Sequence, residues 1–261
     1  MADKPGIAVH KFASCDGCQL TFLDMGDDLL ALSRMVDIVH FVEAGPVNPE
    51  AEVDIAFVEG SISTPDDLQR IQSIREHSRF LVTIGACATA GGLQALRNFV
   101  DAGEWVSAIY AKPEYIHSLS TSTPIAAHVK VDLELWGCPV DRRQVLAAIR
   151  DLLSGVIPAF EQDKVCMECK REQAVCVMVT RGLPCMGPVT RTGCGALCPR
   201  FERDCYACFG PSENANAESL ARRFEGLGLM PEAVARRFHF ITSGAPPFTE
   251  TGARRREQSD E

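Results

Sequence analysis

Runs of apolar, often β-branched residues alternate with amphipathic segments over the first 155 residues of the chain. Short apolar runs bounded by polar residues are typical of buried parallel strands. The pattern predicts five such strands, at residues 6–12, 36–43, 53–60, 80–85 and 131–137. Helical periodicity separates the strands, and this alternation predicts an α/β fold with a doubly wound parallel sheet, flavodoxin-like in its length.

Capping signals locate several helices between these strands. Leucine and phenylalanine positions predict one helix over residues 20–33. Thr64, followed by a proline and two aspartates, predicts the start of a second helix, and Asp141 predicts the start of a helix over 142–153. Residues 98–128 have no clear period and are expected to form a loop with a helix fragment.

The remainder of the chain has a different character, because the periodicity fades and cysteine, glycine and proline become frequent. Helical patterns return at 215–226 and 231–238. The segment from 244 contains proline and glycine and then charged residues, so its last residues are expected to be mobile. We therefore predict a flavodoxin-like domain over 1–157 and a mostly irregular domain with a few helices over 158–261.

Composition and charge exclude several classes of protein. The chain has 46% apolar residues and a net charge of -9, so it can bury a core but has no basic face for nucleic acid. We therefore expect no nucleic-acid partner. No apolar run reaches the ~18 residues of a membrane helix, and the N-terminal residues MADKPGIAVH contain no export signal. No membrane span and a cytoplasmic location are expected.

Twelve cysteines are the most unusual feature of the composition. A reducing cytoplasm disfavours six disulfides, and clustered cysteines there usually bind metal or carry out redox chemistry. Four of them directly follow predicted strands: Cys15, Cys18, Cys87 and Cys138. Because the carboxyl ends of parallel strands lie along one edge of such a sheet, we expect these four thiols to share one site.

Four thiolates in one site favour either tetrahedral zinc or an iron–sulfur cluster. Glycines accompany them, among them Gly17, Gly85 and Gly137. Glycine lets the backbone approach a bulky inorganic core and donate N–H bonds to its sulfides, whereas zinc needs no such room. The glycines therefore favour a cluster. Glu59 follows the third strand at the same edge, where a part in proton movement and an ordinary capping or loop role are both open.

Eight further cysteines lie within residues 166–208, where there is little apolar periodicity for them to pack into. They divide into two groups of four, each with one C-x-x-C pair: Cys166, Cys169, Cys176 and Cys185, then Cys194, Cys198, Cys205 and Cys208. Zinc ribbons share the paired C-x-x-C pattern and remain an alternative. CGALCP (194–199) is similar to the end of a bacterial ferredoxin motif. A division of the eight cysteines in which the ligands of two sites alternate along the sequence is therefore also open.

The cysteine motifs resemble those of a known family. CDGC (15–18), GACATAGG (85–92) and GCPV (137–140) are similar to the proximal-cluster motifs of the small, electron-transferring subunit of nickel–iron hydrogenases. VCMEC, AVC, GLPCMGPVTRTGC and CYACFGP (165–211) resemble the medial and distal cluster region of that subunit, in the same order. The likeness is strongest to the cytoplasmic multisubunit branch, the delta subunits of NAD(P)-linked sulfhydrogenases and the small subunits of F420-non-reducing hydrogenases.

The resemblance implies that the chain relays electrons, with no catalytic residue of its own. Hydrogen would be split at a nickel–iron site on a large subunit, and iron–sulfur and flavin diaphorase subunits would complete the enzyme. It also implies three [4Fe–4S] clusters. The implied ligands are Cys15, Cys18, Cys87 and Cys138 for the proximal cluster, Cys166, Cys169, Cys176 and Cys185 for the distal cluster, and Cys194, Cys198, Cys205 and Cys208 for the medial cluster.

The sequence departs from the exported members of this family. Cys166 stands where many have histidine, so an all-cysteine distal site is expected, and Cys198 supplies a fourth medial ligand where many have three. Gln19 and Leu20 follow the first C-x-x-C motif where a glutamate is common, which puts a proton route there in doubt. The resemblance also implies an exposed apolar surface at the proximal edge, covered by the large subunit.

Two other functions remain open from the sequence. An iron–sulfur module of a complex I-like, quinone-linked assembly has similar proximal cysteines, but the corresponding subunit there has one cluster and adjacent cysteines in its first motif. The C-x-x-C spacing and the eight extra cysteines count against it. A zinc-binding interaction protein is the third possibility, and analysis of iron and acid-labile sulfide would distinguish it.

Overall fold

The computed structural model describes residues 4–258 and divides into two compact units, Met1–Pro158 and Ala159–Glu261. Within the described residues, the first unit is built on a five-stranded parallel sheet: β1 Gly6–Lys11, β2 Asp37–Phe41, β3 Val53–Glu59, β4 Ser78–Ile84 and β5 Leu133–Leu135. The strand order is β2-β1-β3-β4-β5, which is the flavodoxin-like, doubly wound arrangement. The predicted α/β fold is confirmed.

The central strands are buried on both faces, as their continuous apolar runs predict. Ile55, Phe57, Leu81, Val82 and Ile84 are all 0% exposed. Burying a side chain of this size stabilises the fold by about 1.5–3 kcal/mol relative to leaving it in water. The sheet is therefore the rigid support for the segments that leave its edges.

The register of the sheet brings the carboxyl ends of four strands to one level. Lys11 lies beside Glu59, Glu59 beside Ile84, and Ile84 beside Leu135. The segments that leave these strands therefore start side by side along one edge. This is the edge at which open α/β sheets bind their ligands.

α-Helices and short 3-10 helices connect the strands. The α-helices of this unit are α1 Gly17–Leu23, α2 Asp27–Met35, α3 Pro65–Glu76, α4 Gly85–Ala90, α5 Ala102–Ile109 and α6 Arg142–Leu153. The single helix predicted over 20–33 is wrong, because α1 and α2 are separated by a turn at 24–26 in which Gly26 has a φ of 56°. The chain thus changes direction between the two helices.

The predicted helix starts are confirmed at α3 and α6. Thr64 Oγ1 accepts a hydrogen bond from Asp67 N at 3.2 Å, while Asp67 Oδ2 accepts one from Thr64 N at 2.9 Å, which forms a capping box. Asp141 Oδ1 accepts hydrogen bonds from the backbone N–H groups of Arg143 and Gln144. These caps satisfy amide groups that have no partner inside the helix.

Residues 98–128 contain loops, α5 and short 3-10 helices, in agreement with the predicted loop and helix fragment. α5 has no buried residue. Trp105 is 57% exposed and Ile109 is 63% exposed. This segment therefore presents apolar side chains at the surface of its unit.

The second unit consists of short helices joined by irregular segments. The helices are α7 Val165–Arg171, α8 Val177–Arg181, α9 Leu197–Arg200, α10 Ala217–Glu225, α11 Pro231–Phe238 and α12 Pro246–Glu257. α10 and α11 confirm the two predicted helices. Phe224, Phe238 and Phe248, one from each of the last three helices, are at most 1% exposed and form a small apolar core. Within residues 4–258, none of the helices combines the length and the apolar character needed to cross a bilayer.

The segment from 244 onwards forms α12 over residues 246–257, and the mobility of the last residues stays a prediction. Arg255 is 3% exposed and donates hydrogen bonds to both carboxylate oxygens of Glu218, at 2.7 and 2.9 Å, and to Glu225 Oε1 at 2.6 Å. Bonds between opposite charges are about twice as strong as neutral ones. α12 is therefore fastened to α10, while 259–261 lie outside the described residues.

Replacing Arg255 with alanine should release α12 from α10. The variant loses three charge-assisted hydrogen bonds from a buried guanidinium, so we expect local opening to become easier by about 1.4 kcal/mol, or about tenfold. Chymotryptic cleavage after the buried Phe248 measures this opening. Arg254→Ala is the control, because Arg254 is half-exposed and its ion pair with Glu218 is longer, at 3.4 Å. Equal cleavage rates in the two variants would contradict the fastening role.

Candidate metal centres

The carboxyl edge of the sheet carries the first four cysteines. Cys15 lies just before α1, and Cys18 lies in the first turn of that helix. Cys87 lies in α4, which starts directly after β4, and Cys138 follows β5. The topology of the sheet therefore delivers four thiols that are distant in sequence to the same edge.

Burial and the charges of neighbouring groups raise the pKa values of three of these thiols. Burial raises the pKa of Cys87 to about 11, with further contributions from Cys138 and Cys15. Burial also raises the pKa of Cys18, with contributions from Glu59, Cys87 and Cys138. The pKa of Cys138 is raised by burial and by Cys15. A metal that binds here must therefore displace protons.

The site is open on one side. Cys18 is buried and Cys87 is half-buried, whereas Cys15 and Cys138 are exposed. Leu20, two residues after Cys18, is 48% exposed. The two exposed cysteines leave this side of the site open.

Two glycines leave room next to the sulfur atoms. A Cβ atom at Gly85 would lie 2.3 Å from Cys18 Sγ, and one at Gly92 would lie 2.6 Å from Cys87 Sγ. Both residues also have a positive φ, 83° and 64°, which side chains rarely adopt. An all-thiol donor set with the backbone this close to the sulfur atoms fits an iron–sulfur cluster.

Glu59 holds the first cysteine loop in place. Its carboxylate is 1% exposed and accepts hydrogen bonds from the backbone N–H groups of Cys18, at 3.1 Å, and Gln19, at 3.3 Å. Asp16, the residue before α1, provides no side-chain cap, so Glu59 takes that place. Burial raises the pKa of this carboxyl group. Of the two roles left open by the sequence, the structure shows the capping one.

Gln94 is a residue of this site that sequence reasoning missed. Its Nε2 donates a hydrogen bond to the carbonyl of Ala13 at 2.5 Å, and its Oε1 accepts one from the Cys87 thiol at 3.6 Å. Gln94 therefore ties Cys87 to the segment that leads into Cys15. Its position just after the glycine pair that ends α4 was the only signal in the sequence.

The second unit gathers its first four cysteines on and beside two short helices. Cys166 and Cys169 lie in α7, Cys176 directly precedes α8, and Cys185 follows α8. Burial, followed by the charges of Cys166, Cys185, Cys176 and Cys194, raises the pKa of Cys169 to about 12. Cys194 belongs to the other proposed group, so these interactions do not separate the two sets.

The last four thiols form two pairs that border this group. Burial raises the pKa of Cys194, with a contribution from Cys198. Burial likewise raises the pKa of Cys205, with contributions from Cys185 and Cys208. Cys205 N also donates a hydrogen bond to Cys185 Sγ at 3.3 Å. Because the two groups touch, the partition of the eight thiols between two metal centres stays a prediction.

The spacing of these side chains bears on the kind of metal. Within residues 4–258, no group of three or more histidine, cysteine, aspartate or glutamate side chains is arranged to hold a single metal ion. Thiolates around one tetrahedral zinc lie about 3.8 Å apart, given Zn–S bonds of about 2.3 Å. Each thiolate of a four-iron cluster binds a different iron atom, so its ligands are spaced more widely. All-thiol donor sets suit both kinds of centre, so the kind of metal stays a prediction.

Comparison with known proteins places the chain among oxidoreductase subunits. Residues 15–152 match the family of the NADH ubiquinone oxidoreductase 20 Kd subunit. Sulfhydrogenase 2 subunit delta of Pyrococcus furiosus is 32% identical, over 88% of this chain and 96% of the relative. A vhu subunit of the F420-non-reducing hydrogenase of Methanocaldococcus jannaschii is 30% identical, over 88% and 92%. A chain of an NAD+-reducing nickel–iron hydrogenase crystallised in the H2-reduced state is 29% identical, with a TM-score of 0.56, over 60% of this chain and 95% of that one.

The fold, the thiol sites and these relatives define an iron–sulfur subunit that transfers electrons within a nickel–iron hydrogenase. The chain belongs to the family of the NADH ubiquinone oxidoreductase 20 Kd subunit and is related to sulfhydrogenase subunit delta. The resemblance inferred from the cysteine motifs is thereby confirmed.

Gly85→Ala should prevent metal loading at the sheet edge. The added methyl group would lie 2.3 Å from Cys18 Sγ, so the sulfur must move out of position. We expect about four iron atoms fewer per chain than in the wild type after anaerobic reconstitution, measured together with acid-labile sulfide. Circular dichroism checks that the variant is folded.

Gly155→Ala is the matched control for this experiment. Gly155 also has a positive φ, 77°, but nothing lies within 4 Å of its added Cβ. The control therefore carries the same kind of backbone strain, about 1–2 kcal/mol, without the clash. Equal iron contents in the two variants would show that the space beside Cys18 has no part in metal binding.

Proposed function

We propose that this chain passes single electrons between the hydrogen-splitting site of a large subunit and a diaphorase-type partner, through three [4Fe–4S] clusters. The observation that carries this proposal is the gathering of twelve thiols at one sheet edge and in one cysteine-rich unit. The hydrogenase relatives support it, because they align with 88% of the chain. When bound, each cluster would supply reversible one-electron transfer.

Each cluster would be held by four cysteines, the proximal one in the domain over 1–157 and the other two in the domain over 158–261. The assignment follows the resemblance of the cysteine motifs to those of hydrogenase small subunits. The proximal ligands would be Cys15, Cys18, Cys87 and Cys138, the distal ligands Cys166, Cys169, Cys176 and Cys185, and the medial ligands Cys194, Cys198, Cys205 and Cys208. Four thiol ligands at every site favour four-iron over three-iron clusters.

Other groups of the chain position these ligands and stabilise their charge. Glu59 fixes the backbone at Cys18, and the buried strands beneath the proximal site exclude water. Backbone N–H groups also point at sulfur, since Cys205 N donates to Cys185 Sγ and Ala207 N to Cys205 Sγ at 3.4 Å. Such bonds favour the thiolate form that binds metal.

The proximal edge is the proposed contact with the large subunit, which would carry the nickel–iron site. The exposed thiols of Cys15 and Cys138 need a protein cover to keep a bound cluster from solvent. Iron–sulfur and flavin diaphorase subunits would exchange electrons with the second unit. We place this assembly in the cytoplasm, without a nucleic-acid partner, in keeping with the net charge of -9.

A complex I-like, quinone-linked assembly is the second candidate, because the matched family is that of the NADH ubiquinone oxidoreductase 20 Kd subunit. The match covers residues 15–152, which lie within the first unit. It therefore leaves the eight cysteines of the second unit unexplained. The relatives that align with most of the whole chain are hydrogenase subunits, and this favours the first candidate.

Metal analysis tests the clusters directly. Anaerobically purified protein should contain about twelve iron atoms and about twelve acid-labile sulfides per chain, counting four of each for every cubane. Cys87→Ser, Cys176→Ser and Cys205→Ser each remove one ligand from a different proposed set. Each should therefore weaken a different EPR signal of the reduced protein. Two variants that weaken the same signal would overturn the partition, and zinc without sulfide would overturn the clusters.

Purification through a tag on this chain tests the proposed partners. We expect a nickel-containing large subunit and a flavoprotein to accompany it, because the open proximal edge exposes two of its thiols. Nickel and flavin content, together with mass spectrometry of the co-purified chains, provide the measurement. Recovery with quinone-linked membrane subunits and no nickel would support the second candidate instead.

A further inference from the structure

A buried carboxylate joins the two cysteine groups of the second unit. Glu168 lies in α7, the helix that carries the first two cysteines of the unit, yet its side chain contacts the segment around Cys194. Glu168 Oε1 accepts a hydrogen bond from Gly193 N at 2.7 Å, and Oε2 accepts one from Ala196 N at 3.1 Å. The residue is only 9% exposed, so these charged bonds are shielded from water and correspondingly strong.

The segment held by Glu168 has a conformation that needs support. Ala196 is fully buried and has a φ of 53°, in the left-handed region that costs a non-glycine residue about 1–2 kcal/mol. Gly193 and Gly195, on either side of Cys194, also have positive φ values. α9 begins directly afterwards but has four residues, too few for a helix to be stable by itself. The backbone that presents Cys194 therefore depends on tertiary contacts.

A third hydrogen bond of Glu168 can form only in the metal-free protein. Glu168 Oε2 lies 3.7 Å from Cys194 Sγ, where a thiol can donate a hydrogen bond to it. A thiolate bound to iron has no proton to donate, so this bond cannot persist after loading. The two backbone bonds do not depend on the thiol and remain available. The lasting role of the carboxylate is thus to hold the backbone, not the sulfur.

We propose that Glu168 is a positioning residue that makes metal loading at the medial site depend on α7, the helix of the distal site. This inference rests on the proposed function, since it takes both cysteine groups as cluster ligands. Because α7 carries Cys166 and Cys169, the Glu168 carboxylate ties the backbone of one ligand set to that of the next. Groups that orient a metal ligand in this way typically change metal affinity by about 10–100-fold.

Glu168→Gln tests this role with little change in size. The amide keeps one acceptor oxygen but turns an NH2 group toward the second backbone N–H, so one of the two bonds is lost. We expect iron at the medial site to be released to a chelator about tenfold faster than in the wild type. The EPR signal that decays should be the one that Cys194→Ser removes. The signals removed by Cys87→Ser and Cys176→Ser should decay at the wild-type rate.

Two further variants control for charge and for general destabilisation. Glu232→Gln changes an exposed glutamate of α11 in the same unit and should behave like the wild type. Glu168→Asp keeps the charge but shortens the reach of the carboxylate, so it should also release medial iron faster. If Glu168→Asp matches the wild type, charge alone matters and the positioning role is wrong. If circular dichroism shows that Glu168→Gln does not fold, Glu168→Asp is compared with the wild type in its place.

The outcomes separate this inference from the proposed function. Wild-type protein with about twelve iron atoms and a Glu168→Gln variant that releases them at the wild-type rate would overturn the role of Glu168 alone. Wild-type protein that binds no iron after anaerobic reconstitution would overturn the proposed function itself. Selective loss of the Cys194-dependent signal supports both.

Discussion

The parallel register of the sheet is the constraint on which the first candidate metal site depends. Lys11, Glu59, Ile84 and Leu135 lie at one level, so the segments bearing the four thiols leave the sheet side by side. A slip of one residue in any strand would move its end by about 3.3 Å and turn its side chains to the opposite face. The buried apolar side chains of the central strands oppose such a slip. The buried side chains of the central strands, although they lie away from the thiols, thereby determine the distances between the thiols.

The second unit has to position its thiols without a sheet. Cys166 and Cys169 are one turn apart on α7, so a short helix suffices to place them on one face. The distances between such pairs must come from other contacts, here the Glu168 carboxylate and the N–H groups that point at sulfur. A metal bound by these thiols would hold them as thiolates, so its binding would be linked to the order of this unit.

The features that the sequence predicts are those determined locally. Buried parallel strands are apolar along their whole length, and the caps at Thr64 and Asp141 act over two or three residues. Cysteines are recognised as candidate metal ligands from their residue type alone. α12 could not be predicted in this way, because Arg255 bonds to carboxylates 30 and 37 residues earlier. The partition of the last eight thiols does not follow from spacing either, since Cys185 and Cys205 are in contact although they belong to different proposed sets.

The sequence leaves the role of Glu59 open and gives no sign of that of Glu168 for a related reason: a glutamate can be a surface residue, an acid or a cap until the groups it contacts are known. Each accepts hydrogen bonds from two backbone N–H groups next to a cysteine, where a neutral amide side chain offers only one oxygen. Burying the charge is costly unless it is hydrogen-bonded, and the amides it holds supply those bonds. Each carboxylate also comes from a different element than the loop it holds, β3 for Glu59 and α7 for Glu168. A loop tied to a separate, packed element keeps its conformation when its own thiols lose their protons to metal, because the bonds that define it do not involve sulfur.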